Sequence, residues 1–401
     1  MKSNFPAAII VVACACLPVQ VLAQDSSAPA SQKEDFKFET VRQLPVTSVK
    51  NQSGTGTCWC FAVTSFMESE ALRKGFVGDL DLAEMYTVYN AYQDRAEKYI
   101  RVDGAMNFGE GSSFGDVLTI MDKYGAVPES EMRGLNYGSE RHNHRELSAG
   151  LAGYVEGISH VKGNLTPVWK QGVKAILDCY LGPAPETFSV DGVEYTPHTY
   201  FESLGIDPSD YVELTSWTHL SMYEKHPIES ADNWRWETAY NIPLDEFMAV
   251  MDNSIEKGYT FAWGSDVSEI GFTRDGIGIV PDMKALAETS GSDQARWTGA
   301  PDGRSGMPRI TGPMKELEVT PEMRQEEYED KNTTEDHAMH AFGIARDQNG
   351  TEYFMIKNSW GETGRYKGIW YVSKTFVRYK TLAIMVHKDA IPEAIRAKLG
   401  I

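Results

Sequence analysis

Cys58 lies in the run Asn51-Gln52-Ser53-Gly54-Thr55-Gly56-Thr57-Cys58-Trp59-Cys60-Phe61-Ala62. A glutamine stands six positions before the cysteine, a Gly-rich turn joins them, and an apolar, helix-like segment follows at once. A thiol that attacks a carbonyl needs a lowered pKa, an oxyanion donor and access from a cleft. A cysteine opening a helix gains the first from the unpaired N–H groups of the helix N-terminus. Its own N–H and the Gln52 amide can supply the second. The thiolate also needs a base within hydrogen-bond reach and a third group that fixes the imidazole tautomer. Two histidines fall in Asp336-His337-Ala338-Met339-His340-Ala341. Residues three apart on a strand face opposite sides, so only one of His337 and His340 can serve the cleft. Lys357-Asn358-Ser359-Trp360-Gly361 follows about one hairpin later. Asn358 can accept from the imidazole, and Trp360 can screen that bond from water. The chemistry these residue types allow is nucleophilic acyl transfer.

The elements that must position them are legible from periodicity. Cys58 to about Lys74 reads as a helix ended by Gly75, and Leu82 to Arg101 as a second one. Asn107 to Gly115 is a Gly/Ser loop, Asp116 to Tyr124 a further helix, and 143–182 a helical stretch broken near Gly163 and Pro167. Thr187 to Thr196 suggests a hairpin turning at Asp191-Gly192. Tyr211 to Trp217 alternates like a strand, Leu244 to Gly258 is helical, and Tyr259 to Trp263 is a short apolar strand. Residues 287–335 read as a long surface loop followed by a solvated, Glu-rich helix. Ala338 to Ala345, Tyr353 to Asn358 and Gly368 to Val372 read as antiparallel strands with an Asn349-Gly350 turn, and Thr381 to His387 as a last strand. Helices first and strands last imply an α+β fold.

Composition bounds the rest. The N-terminus has a basic start at Lys2, an apolar Ala7–Leu17 and Val21-Leu22-Ala23, the layout of a signal peptide over residues 1–23. Export to the periplasm or the medium is therefore expected, with a lipobox-like Val11-Val12-Ala13-Cys14 offering lipid anchoring at Cys14 as the alternative. Residues 24–36 read as a flexible leader, and 37–401 as the folded part. No later stretch is long enough for a membrane span. A formal charge of −19 argues against nucleic acid. Cys58, Cys60 and Cys179 remain after removal of the leader, an odd count that points to a reactive thiol rather than a disulfide framework.

Taken together, Gln52…Cys58-Trp59, Asp336-His337-Ala338 and Asn358-Ser359-Trp360-Gly361 resemble the papain superfamily of cysteine peptidases. The Asn51-Gln52-Ser/Gly run, Ala262-Trp263-Gly264-Ser265-Asp266-Val267 and His337-Ala338-Met339 are similar to its bleomycin hydrolase and aminopeptidase C branch. Cys58 and His337 are 279 positions apart (337 minus 58), which fits the large helical insertions of that branch, about 130–330 here. The resemblance implies a papain-like fold, with a helical left half carrying the nucleophile and an antiparallel β right half. It implies Cys58 as nucleophile, His337 as base and acid, Asn358 as orienting residue, Gln52 as oxyanion donor and Trp360 as shielding indole at the substrate cleft. Gly109, Gly111 and Ser112 fall where the family pairs backbone with the substrate as an added strand. The implied activity is aminopeptidase action on short peptides; cysteine endopeptidase action is the alternative, and an inactive papain-like binding protein is the reading from another class. No cofactor is required, and a hexamer follows by analogy alone.

Departures from the pattern are specific. Thr55 stands where secreted relatives place a disulfide cysteine, and Cys60 where a small or aliphatic residue is usual, which reads as a buried neighbour. The family's C-terminal arm brings a terminal carboxylate to the substrate amine, and Arg396-Ala397-Lys398-Leu399-Gly400-Ile401 does not match that arm. Metal readings are weak. His142 and His144 diverge if helical and read as a solvated turn, and Asp336-His337 has no partner cluster. Trp217, Trp234, Trp236 and Tyr240 read as packing rather than a ligand box.

Overall fold

The computed structural model describes residues 35–283 and 310–401. Helix α1 (Cys58–Arg73) is buried from Trp59 to Ala71, as expected of a helix sandwiched between layers rather than lying on a surface. It ends before Gly75, whose φ of +97° only glycine adopts without strain. Helices α2 (Glu84–Arg101), α3 (Phe114–Tyr124), α4 (Arg145–Ser159), α5 (Val168–Leu181) and α6 (Pro197–Ser203) pack around it. The i, i+4 rows Leu147, Leu151, Val155 and Val173, Leu177, Leu181 are buried in this helical core. The break between α4 and α5 falls at Gly163 and Pro167, as the sequence predicts.

The other half is a ten-stranded sheet with the order β5-β6-β4-β12-β7-β9-β10-β11-β8, and β1 pairs with β9. Its central strands are β4 (Tyr211–Thr215), β7 (Phe261–Ser265), β9 (His337–Arg346), β10 (Glu352–Lys357), β11 (Ile369–Ser373) and β12 (Thr381–His387). These match the predicted strands to within a few residues. The short β2 (Phe188–Val190) and β3 (Val193–Tyr195) form the predicted separate hairpin. Strands β1 (Glu39–Gln43), β5 (Lys225–Pro227), β6 (Thr238–Asn241) and β8 (Ile277–Gly278) carry no clear periodicity and were not expected. The sheet is antiparallel apart from the pairs β4–β6 and β11–β8. Helix α7 (Leu244–Lys257) covers one sheet face, burying Phe247, Val250 and Met251 with Trp263, Phe354 and Ile384. The apolar side chains form two main cores, one largely helical and one built on the sheet with α7 against it, and the fold class is α+β as read from the sequence.

Four details depart from expectation. Phe36, placed at the edge of the flexible leader, is buried with Tyr353, Ile277 and Ile279; residues 1–34 lie outside the described residues. Helix α8 (Pro321–Glu329) is Glu-rich yet not wholly solvated. Its Arg324 is 1% exposed, stacked 4.1 Å over Trp217 and donating to the Ser216 and Tyr379 carbonyls. A guanidinium can stack on an indole and donate to carbonyls at once, which offsets part of its burial, although Nη2 is buried without a partner. His144, expected in a solvated turn, is 0% exposed, and burial among apolar neighbours pushes its pKa down to about 3. Helix α9 (Glu393–Leu399) turns the last residues into a packed element, with Ile395 and Leu399 in the sheet core. Much of the predicted loop 287–335 also lies outside the described residues. Among the described residues no helix is long and apolar enough to cross a membrane.

Candidate active site

Cys58 is the first residue of α1, and Thr57 precedes it without a side-chain cap. The sulfur therefore sits at the positive end of the helix dipole. It is half-buried, and the backbone N–H groups of Trp59 and Ala338 lie close enough to favour its thiolate. Ala338 follows His337 on β9, so the sulfur lies against the strand that carries the imidazole. The early helical half and the late sheet meet at this point.

His337 begins β9, opposite Ser265 of β7. Its Nε2 lies 2.7 Å from Asn358 Oδ1. That oxygen also accepts from the Ser359 N–H at 2.7 Å, which fixes which end of the amide is oxygen. His337 must then carry its proton on Nε2, leaving the Nδ1 lone pair to accept one. The Trp360 indole stacks on the imidazole, with centroids 4.7 Å apart and planes at 26°. Trp360 is itself wedged edge-on against Trp370 and Phe272. It covers the His337–Asn358 bond, where exclusion of water strengthens the interaction. Asp336 accepts from the N–H groups of Val267 and Ser268, so its carboxylate secures the loop that leads into His337.

His340 lies on the other side of the strand, as the alternation requires. Its Nδ1 is 2.8 Å from Ser65 Oγ in the α1–β9 interface, and its Nε2 is buried without a partner. Burial beside Lys357 holds it neutral.

Gln52 is buried and held at three points. Its N–H donates to the Ser359 carbonyl at 2.8 Å, its Oε1 accepts from Ser359 Oγ at 2.6 Å, and its Nε2 donates to the Thr55 carbonyl at 2.8 Å. The side-chain amide thus presents its nitrogen toward the Cys58 loop and its oxygen away from it. Thr55, at the position where the pattern of secreted relatives has a disulfide cysteine, ties the same loop through its hydroxyl. That hydroxyl donates to the Gln52 carbonyl at 3.0 Å and pairs with the Thr57 hydroxyl at 2.6 Å. Among the described residues all three cysteines are free. Cys60 is buried, its thiol directed at the Glu84 carbonyl.

Electrostatics set the resting protonation state. Burial pushes the Cys58 thiol up to about 11, and the charges of Glu335 and Asp232 add to that direction. Burial pushes the His337 imidazole down to about 4. Each group alone is therefore neutral near pH 7. Moving the proton from sulfur to Nδ1 makes both charges together, and each then stabilises the other. The cluster can deliver a thiolate to a bound carbonyl and a proton to a leaving amine.

The loop expected to pair with a peptide is engaged by other parts of the chain. Gly109 is half-buried, and a Cβ there would meet only the Asn107 side chain. The Gly111 carbonyl accepts from Arg95 at 2.5 Å. Ser112 is buried, donating to Asp116 at 2.6 Å and accepting from the Trp234 indole at 2.5 Å. Sequence reasoning missed Glu110, whose carboxylate accepts from the Gly56 N–H and whose carbonyl accepts from the Trp59 indole. It also missed Asp232. The aromatic group near it was read as packing, and Trp217 and Trp234 are indeed buried, whereas Trp236 is exposed.

Comparison with known proteins gives a consistent picture. A profile of the Peptidase C1-like family matches residues 315–400, the stretch that holds His337, Asn358 and Trp360. Aminopeptidase C of Streptococcus thermophilus is 22% identical over 89% of this chain and 83% of its own length. Aminopeptidase G of Lactobacillus delbrueckii subsp. lactis is 21% identical over 86% and 82%, and aminopeptidase E of Lactobacillus helveticus 20% over 91% and 87%. The crystal structure of pepw from Lactobacillus rhamnosis superposes with a TM-score of 0.69 at 18% identity, covering 90% of this chain and 84% of that one. The papain-like fold is thereby established. These relatives are cytoplasmic enzymes, which overturns the expectation of export to the periplasm or medium.

Proposed function

We propose that the chain, which is similar over most of its length to aminopeptidases C, G and E and over residues 315–400 to the Peptidase C1-like family, is a papain-superfamily cysteine aminopeptidase of the aminopeptidase C branch that removes residues from the free amino end of short peptides. Residues 37–401 act as one peptidase domain, with the stretch from about 130 to 330 as insertions. In this reading the Cys58 sulfur attacks the carbonyl carbon of the first residue while its proton passes to Nδ1 of His337. The Cys58 N–H and the Gln52 amide hold the oxyanion as it forms, before any reorganisation is needed. His337 then gives the proton to the departing nitrogen, the C–N bond breaks, and a thioester remains on Cys58. A water that loses its proton to His337 attacks the thioester and releases the amino acid. Asn358 keeps the imidazole in the tautomer that both steps use, and Trp360 keeps water off their hydrogen bond.

The observation that supports this reading most directly is the Asn358–His337 bond at 2.7 Å under Trp360, on the strand whose next N–H reaches Cys58. A neutral base with a free Nδ1 beside a helix-terminal thiol has little structural purpose other than proton exchange. The test pairs an epoxide thiol-protease inhibitor with fluorogenic substrates. The label is expected on Cys58, well ahead of the exposed Cys179, and an aminoacyl fluorophore is expected to be hydrolysed only while its amine is free. Labelling of Cys58 no faster than Cys179, with no hydrolysis of either substrate, would sink the assignment.

A further inference from the structure

The substrate edge beside Cys58 is occupied. A papain-like cleft that accepts long peptides needs an open backbone edge for the substrate to join as a strand. Here the segment 230–237 crosses that edge. A Cβ at Gly111 would lie 1.9 Å from Asp232 Oδ2, so this carboxylate rests directly on the glycine. An approaching strand would meet it before reaching the backbone. The Gly111 carbonyl is already committed to Arg95.

The segment is fixed rather than draped. Asp232 Oδ1 accepts from Asn107 Nδ2 at 3.0 Å. Asn233, buried, lies 3.3 Å from Ser113 Oγ and donates to the carbonyls of Ile228 and Glu237 at 2.9 Å. Trp234 donates to Ser112 Oγ, and Arg235 pairs with Asp94 and Asp116, each at 2.7 Å. Nearly every residue from 232 to 235 is tied to the loop it covers or to the helices that flank it. Displacing the segment would leave Trp234, Asn233 and Asp116 without these partners, a cost no weakly bound peptide recovers.

We infer that this segment closes the acyl side of the cleft, and that the Asp232 carboxylate at its tip binds the free ammonium group of the substrate's first residue. The inference rests on the aminopeptidase reading above and names what selects the amine. With the edge blocked, the chain entering the site ends close to Cys58. Its charged end is then withdrawn from water, which demands a partner of opposite charge. Asp232 is placed to be that partner: its side chain is 40% exposed, and it lies over Gly111, one residue from the Glu110 carbonyl that holds the Trp59 indole beside Cys58. The nearest cation, the Arg95 guanidinium, stands off at 3.9 Å and is held by the Asn107 and Gly111 carbonyls. In the empty site Asp232 disfavours the thiolate. An ammonium group neutralises it, so arrival of the correct substrate eases ionisation of Cys58. A blocked amine brings no such relief.

The test is Asp232→Asn, with Asp232→Glu as the charge-keeping control. Activity is measured on an aminoacyl fluorophore and on its N-acetyl form, and Cys58 alkylation by iodoacetamide reports the integrity of the nucleophile by peptide mapping. In Asp232→Asn, kcat/KM on the free amine is expected to fall at least about 10-fold, as for loss of a charge-assisted hydrogen bond, mostly through KM. Alkylation should be as fast or faster, and Asp232→Glu should keep part of the preference for the free amine. Unchanged preference in Asp232→Asn, or equal loss in both variants, overturns the assignment of Asp232 while the aminopeptidase reading stands. Equal cleavage of free and acetylated substrate by the unsubstituted enzyme overturns both.

Discussion

On one wall of the cleft the residues proposed to react come from two compact stretches, 52–58 and 337–360. On the other, the loop 107–113 is met by residues 232–234, which lie 120–125 positions away in the chain. The first wall is chemistry fixed by local geometry: a turn, a helix start and a hairpin. The second is a shape made only when distant segments dock. The first can be shared among enzymes with different substrates, whereas the second, in the reading proposed above, decides which peptide end is admitted. Mutations should separate them cleanly.

The largest effect belongs to the reacting wall. Cys58→Ala should lower peptide hydrolysis by about 1000-fold or more, as for loss of a covalent nucleophile, with thermal stability little changed; retained hydrolysis in a purified variant would refute the nucleophile. Gln52→Ala is expected to cost about 100-fold in kcat, the usual scale for one oxyanion donor. A loss confined to KM would mean that Gln52 only shapes the loop. Asn358→Ala should cost roughly 10- to 100-fold, part of the general acid–base contribution, and should alter the pH profile as well as the rate.

That profile is itself a prediction. His337 must be neutral to accept a proton, and its pKa is pushed down to about 4. Activity should therefore hold as pH falls through 6.5 and decline only near pH 4, where the imidazole gains a second proton. An acid limb centred at 6.5 or above would show a base open to water. The smallest catalytic effect should come from the other histidine. His340→Ala removes a buried ring and orphans Ser65 Oγ, so it should cost about 2–4 kcal/mol of stability, read by denaturant titration. Activity per folded molecule should stay within about twofold. If His340→Ala abolished turnover in folded protein, the separation of the two strand faces would be wrong.

What the sequence discloses follows the same division. The spacing of His337 and His340 already forces them onto opposite faces of β9, because a strand repeats every two residues. The α1 helix, the α4–α5 break and the hairpin at Asp191-Gly192 are written in local periodicity and turn chemistry. Asp232 carries no such mark. Its neighbours Trp234 and Trp236 read as packing, and only the docked loop reveals a carboxylate lying on Gly111. Arg324 is hidden in the same way: a Glu-rich helix reads as solvated, and the indole beneath its guanidinium comes from Trp217 far upstream. Phe36 looked like leader because its apolar partners Ile277 and Tyr353 lie hundreds of residues away.

The hydroxyl of Thr55 gives the nucleophile's loop a fastening that electrons cannot undo. A relative with a bridge at this point must survive an environment oxidising enough to keep the bridge and mild enough to spare its working sulfur. This molecule faces no such conflict. Thiol-rich buffer, which protects Cys58 from oxidation, has no bond in that turn to cut, so the activity proposed here should survive strong reductant.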